Sequence, residues 1–150
     1  KTHMKNFLLS CMLIFGSVST SNLFGHCQVP CGIYGDQNRL EQMLEDQSTI
    51  EKASKQITEL SGKKDAQSMN QIARWVATKE SHASAVQNTI ADYFMAQRIK
   101  SSDSKYEDKL TKAHAVIVAA MKCKQSVNAQ NASALKEAIL SFHKAYEKKK

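Results

Sequence analysis

From Gln37 onward the apolar residues of this chain recur at steps of three and four, the spacing of one face of an α-helix. Four segments carry the pattern. The first, over about residues 37–60, lines up Leu40, Met43, Leu44, Ile50, Ile57 and Leu60. Asp36 stands where an N-cap belongs, and Gly62 where a helix-ending glycine belongs. The second, over about residues 69–100, has Ile72, Val76, Ala83, Val86, Ile90, Tyr93 and Phe94 on its apolar face, with Ser68 and Gln71 at capping-box spacing. The third, over about residues 105–127, lines up Tyr106, Leu110, Ala113, Ile117, Ala120 and Met121 behind a second such pair, Ser104 and Glu107. The fourth, from about residue 132 to the end, carries Leu135, Ile139, Phe142 and Tyr146, with Asn131 as its cap.

Few residues interrupt these runs. Beyond Pro30 there is no proline, and beyond Gly35 the only glycine is Gly62. Period-two runs of valine and aromatics are missing, so strands are not expected. Four amphipathic helices with short polar connections predict an all-α fold, an antiparallel four-helix bundle. Such a bundle carries no function of its own.

The first 25 residues break the pattern. Met4-Lys5-Asn6 is a short basic start, "FLLSCMLIF" from Phe7 to Phe15 is uncharged and apolar, and "GSVSTSNLFG" is small and polar. That order predicts a secretory leader. The apolar run is shorter than the ~20 residues a membrane-spanning helix needs. The expected organisation is therefore a leader over 1–25, removed by a processing protease, and one domain over 26–150. Export to the periplasm or outside follows if the leader is secretory; the cytoplasm is the alternative. No stable membrane association is expected after cleavage. Ser17-Val18-Ser19 and Ser19-Thr20-Ser21 both fit a small-x-small cleavage pattern. A cut after Gly25 would instead make His26 the first residue.

The formal net charge is +7, of which Lys1 and Lys5 leave with the leader, so about +5 remains. Lys148-Lys149-Lys150 supply much of it. Basic and acidic residues otherwise alternate without an aromatic-basic pattern, and no nucleic-acid partner is predicted.

The chemistry concentrates in "HCQVPCGIY", residues 26–34. Of the chain's four cysteines, Cys11 belongs to the leader and Cys123 to the third helix, where a small buried side chain is expected. Cys27 and Cys31 remain, as a disulfide, a metal site or two free thiols. A disulfide across three residues constrains little of the unfolded chain. His26 adds an imidazole. If His26 is first, its amine, its imidazole, the Cys27 amide nitrogen and two thiolates lie within one turn of chain. An amide nitrogen binds only once deprotonated, which favours a square-planar metal, Ni(II) or Cu(II). Pro30 can set the required turn, and Gly32 lets backbone crowd behind Cys31.

His26-Cys27-x-x-Pro30-Cys31-Gly32-x-Tyr34 resembles the hook signature of the nickel-containing superoxide dismutases. The resemblance covers residues 26–150, with close matches at the hook and at a few later positions. It implies a four-helix-bundle subunit with one nickel ion, assembled as a homohexamer, that converts two superoxide ions to dioxygen and hydrogen peroxide through Ni(II) and Ni(III). It implies that His26 gives its amine and imidazole, Cys27 its amide and thiolate, and Cys31 the second thiolate. Tyr34 would stand near the open face of the metal. Asp92-Tyr93-Phe94 matches a family segment whose tyrosine approaches the site. Arg39-Leu40-Glu41 resembles the family's Arg-Ile-Glu, whose glutamate bonds the imidazole, but lies one residue closer to the hook. Gln28 replaces an aspartate frequent in the family, at a position that gives no ligand.

Plainer roles stand beside these. Tyr93 lies on the apolar stripe and reads equally as a core residue, Tyr34 as packing, and Glu41 as a first-turn acid favoured by the helix dipole. His82, His114 and His143 are scattered singly. Two other functions compete: a non-catalytic secreted copper- or nickel-binding bundle, and a structural bundle closed by a Cys27–Cys31 disulfide.

Overall fold

A computed structural model describes residues 35–147. His26, Cys27, Cys31 and Tyr34 lie outside the described residues, as do the leader and the lysine tail. Helices α1 (Asp36–Leu60), α2 (Ala66–Asn88), α3 (Tyr106–Gln125) and α4 (Ala129–Tyr146) pack as a ring, each on its sequence neighbour and α1 on α4. The short connections make neighbours antiparallel, so the structure is the expected all-α four-helix bundle, with no strand among the described residues. None of the described helices is long and apolar enough to cross a membrane.

The stripes meet in one core. Met43, Ile50, Val86, Ile90, Phe94, Val116, Leu135, Ile139 and Phe142 are fully buried within it. Cys123 belongs to the same core, a buried free thiol as expected.

The second helix differs from its expected form. It is α-helical only to Asn88 and continues as a π-helical segment over Thr89–Arg98. Ten residues of π-helix are unusual, because that geometry mostly occurs as single turns. The Asp92-Tyr93-Phe94 motif sits inside it.

The helix starts also differ. Gly35 caps α1, and Asp36 is already helical, its carboxylate turned to side chains described below. Asp65 caps α2 three residues ahead of Ser68: its Oδ1 accepts from the Ser68 N–H at 2.9 Å, and its Oδ2 from the Ser68 hydroxyl at 2.7 Å. Those bonds lower the Asp65 pKa. Lys105 precedes α3 without a side-chain cap, so Ser104 and Glu107 form no capping box. Asn128, not Asn131, caps α4 through the Gln130 N–H at 3.0 Å. At α2 and α4 several candidates lie close together, and the one whose side chain reaches the free N–H groups prevails. Gly62 follows a right-handed C-cap at Ser61 and does not itself take up a left-handed conformation.

Two stripe residues are exposed. Met121 is displaced because Ala113, Val116, Ala120 and Cys123 carry the core face of α3. Val76 is exposed because α1 and α2 outrun their partners. Gln47, midway along α1, donates to the Ala132 carbonyl near the start of α4 at 3.1 Å. Lys79, midway along α2, donates to the Cys123 and Lys124 carbonyls at the end of α3, at 2.6 and 2.8 Å. The remaining halves of α1 and α2 project as a two-helix hairpin.

Candidate functional site

The antiparallel order brings the start of α1, the end of the π-helical segment, the start of α3 and the end of α4 to one end of the bundle. This is the end from which residues 26–34 depart, because Asp36 opens α1. Four side chains converge there. The Tyr93 hydroxyl donates to Asp36 Oδ1 at 2.6 Å, and the Tyr146 hydroxyl donates to Asp36 Oδ2 at 2.9 Å. Arg98 Nη2 donates to the Tyr93 oxygen at 2.9 Å. Arg98 Nε lies 3.1 Å from Asp36 Oδ1, a charge contact off the hydrogen-bonding line.

The π-helical geometry makes this possible. Residues five apart in an α-helix are about 1.4 turns apart and point different ways. In a π-helix they fall one above the other. Arg98 therefore lies over Tyr93, its guanidinium carbon 5.0 Å from the ring centroid. Arg39 of α1 lies 5.8 Å from the same centroid.

Beneath the polar groups lies an aromatic cluster. Phe94 meets Tyr93, Phe142 and Tyr146 edge-on, with centroids 5.1, 5.0 and 5.0 Å apart. Such pairs add ~0.5–1.5 kcal/mol each beyond burial. Burial raises the pKa of both tyrosines, and the bond to Asp36 raises it further. The bond to Tyr93 raises that of Arg98. Near neutral pH both phenols keep their protons.

Beside this network runs an open groove of about 1180 Å³, lined by Asp36, Arg98, Lys100, Lys105, Lys109 and Tyr146 among others. Lys109 is buried, its ammonium 2.6 Å from Asp103 Oδ2 and 5.2 Å from the Tyr146 ring centroid.

Of the predicted site residues, Tyr93 is at this end, its ring in the core and its hydroxyl on Asp36. Glu41 is exposed on α1, about 7.5 Å along the axis from Asp36, and accepts from Gln37 Nε2 at 2.8 Å. The sequence pattern did not mark Asp36, Arg98 or Tyr146 as a group. Asp36 reads as a cap, Tyr146 as a stripe residue, and Arg98 shares a face with Tyr93 only because of the π-helix. His82, one of the scattered histidines, places Nδ1 2.7 Å from the buried Asp46 carboxylate and joins α2 to α1.

No group of three or more His, Cys, Asp or Glu side chains able to hold a metal exists among the described residues. Cys123 is unsuited to ligation: burial pushes its thiol up to about 11, against the opposing charge of Lys79. The residue types whose chemistry suits nickel, His26, Cys27 and Cys31, lie close together in sequence and outside the described residues.

This all-α bundle with an arm of clustered nitrogen and sulfur donors matches a family model described as nickel-containing superoxide dismutase, over residues 21–150. The chain belongs to the nickel-containing superoxide dismutase family, and its class is that of an oxidoreductase acting on superoxide. Searches of curated proteins and of solved structures return no match to this chain.

Proposed function

We propose that the mature chain begins at His26 and disproportionates superoxide at one nickel ion per subunit: two superoxide ions and two protons become dioxygen and hydrogen peroxide. The observation that carries this reading is the nine-residue hook in a chain whose family match spans the bundle. Nickel, when bound, would supply a one-electron couple between Ni(II) and Ni(III). The Cys27 and Cys31 thiolates, the deprotonated Cys27 amide and the His26 amine and imidazole would hold the metal, the thiolates and amide donating the electron density that such a couple needs. Tyr34, two residues before Asp36 in sequence, would line the approach to the metal, as the family resemblance implies. Tyr93 forms the bundle-side wall, its hydroxyl held by Asp36. Glu41 serves as partner to the His26 imidazole. On the groove Arg98, Lys100, Lys105 and Lys109 face Asp36, Asp103 and Glu147, a balance of a single positive charge that steers an incoming anion only weakly.

The leader directs export, and its protease exposes the His26 amine. The subunits assemble as a homohexamer, in which the projecting α1–α2 hairpin, with Met69 and Val76 exposed, offers an apolar face to a second copy.

Native mass spectrometry of the processed protein from nickel-supplied cells, with a superoxide-consumption assay, tests the reading. Chains starting at His26, one nickel each, with rapid superoxide loss are expected. Cys31→Ser should lose both nickel and turnover, by more than about 100-fold, with helix content unchanged. Metal without turnover would favour a metal-binding bundle. A metal-free chain two hydrogens lighter would favour the Cys27–Cys31 disulfide.

A further inference from the structure

Asp36 sits at a junction. It is the first residue of α1, two positions after Tyr34 and five after Cys31. An acid in the first turn needs no explanation beyond the helix dipole, worth ~0.3–1 kcal/mol. That effect requires no partner from elsewhere, yet three side chains from two other elements converge on this carboxylate. Tyr93 occupies one oxygen and Tyr146 the other, and Arg98 approaches the first. Tyr146 is 110 residues away in sequence. Arg98 reaches Tyr93 only through the π-helical segment, a geometry that often marks functional sites.

The directions of the bonds matter. A phenol has one proton, and Asp36 accepts that of Tyr93 while Arg98 donates to the phenol oxygen. Removing Asp36 changes which way the Tyr93 hydroxyl points and releases the first turn of α1 from two rigid elements. We propose that Asp36 is a positioning residue of the dismutase site: held by Tyr93, Tyr146 and Arg98, it fixes where the nickel-binding arm leaves the bundle and sets the direction of the Tyr93 hydroxyl. The inference rests on the dismutase reading above and adds Asp36, Arg98 and Tyr146 to it. Asp36 acts through its neighbours, and rigid elements support it as a precise site requires.

The test uses Asp36→Asn, which keeps shape but removes the charge and one acceptor, and Tyr146→Phe, which removes a single hydroxyl and keeps the ring in its cluster. The first readout needs no nickel. Tyrosine-selective ¹³C NMR of the metal-free processed chain follows each phenol through its titration. Among the described residues, the charged or titratable groups facing these phenols include Asp36, Arg39, Arg98 and Lys109, together with each other. Asp36→Asn should bring Tyr93 and Tyr146 down toward the ordinary phenol range. The second readout is turnover per bound nickel. Asp36→Asn should keep one nickel per chain and lose about tenfold in rate, and Tyr146→Phe about threefold, as misplacement without loss of ligands predicts.

Phenols that titrate identically in wild type and Asp36→Asn would overturn the contact. Shifted phenols with an unchanged rate per nickel would overturn the positioning role and leave the dismutase reading intact. A wild-type chain that binds nickel without consuming superoxide would overturn the dismutase reading and the role with it, while the titration would still report the contact.

Discussion

The two ends of this bundle are built on the same helical pattern and come out differently. At the arm end, four elements finish together. The Tyr93, Phe94, Phe142 and Tyr146 rings pack there, and hydrogen bonds join a carboxylate, two phenols and a guanidinium above them. At the far end, α3 and α4 stop about halfway along α1 and α2. Buried Lys79 gives hydrogen bonds to the last carbonyls of α3, buried Gln47 bonds the first turn of α4, and beyond them two helices continue alone. Ile57 is buried in the projecting hairpin, but Met69 and Val76 are 61% and 40% exposed. The same apolar spacing thus makes a core only where helices are matched in length. The closely packed, polar-topped end is the one at which α1 begins, directly after residues 26–34 in sequence.

The largest effect should come from emptying the arm end. Phe94 is fully buried and touches three other rings. Phe94→Ala should destabilise the metal-free chain by ~3–5 kcal/mol, the usual range for such a truncation. Urea unfolding followed by circular dichroism reads this directly, and the absence of nickel keeps metal binding from masking the loss. A change below ~1 kcal/mol would show that the arm end is loosely packed, and the contrast between the ends would disappear.

A second effect tests the boundary where Lys79 meets α3. The buried Cys123 thiol is pushed up to about 11 from an ordinary 9.0. Between those values the unfolded chain releases this proton and the folded chain retains it. Folding stability attached to Cys123 is therefore complete below about pH 9 and lost as pH rises through about 11. The loss is on the order of 2 kcal/mol. Tyr93 and Tyr146 are raised too and act in the same sense at the other end. Cys123→Ala separates the contributions: its stability should fall less steeply with alkaline pH than that of wild type. Parallel slopes would mean that the thiol ionises as readily folded as unfolded, and that the Lys79 boundary is open to water.

The contrast also explains what could be read in advance. The bundle was legible because Met43, Ile50, Val86, Ile90, Leu135 and Ile139 repeat at helical spacing without proline or internal glycine to interrupt them. The family was legible because a histidine, two cysteines and a proline lie within six residues, a cluster local in sequence. The Asp36 network was not, since Asp36, Tyr93 and Tyr146 belong to three segments and only packing joins them. Arg98 was hidden for another reason: α-helical periodicity puts it on a different face from Tyr93. The buried Lys79 and Lys109 read as surface charges, because a pattern of apolar and polar letters cannot show a lysine whose ammonium is satisfied by carbonyls or a carboxylate. The helix starts were off by one to three residues where serine, asparagine and aspartate crowd together, as at Asp65 and Ser68.

The smallest effect belongs to the projecting hairpin. Val76 is 40% exposed, so truncating it removes little apolar area from a single chain. Val76→Ala should cost less than ~0.5 kcal/mol, as surface substitutions do. The measurement is urea unfolding of the metal-free protein at two chain concentrations, run beside the Phe94→Ala series. In a separate subunit the midpoint shift is small at both concentrations. In an assembly that covers the hairpin, burial extends to Val76, and the shift grows with concentration because association stabilises the folded chain by mass action. A small, concentration-independent shift would exclude the hairpin as an assembly face. A large shift that rises with concentration would mean that the two ends are completed differently: the arm end by its own four elements, the hairpin end by a second copy of the chain.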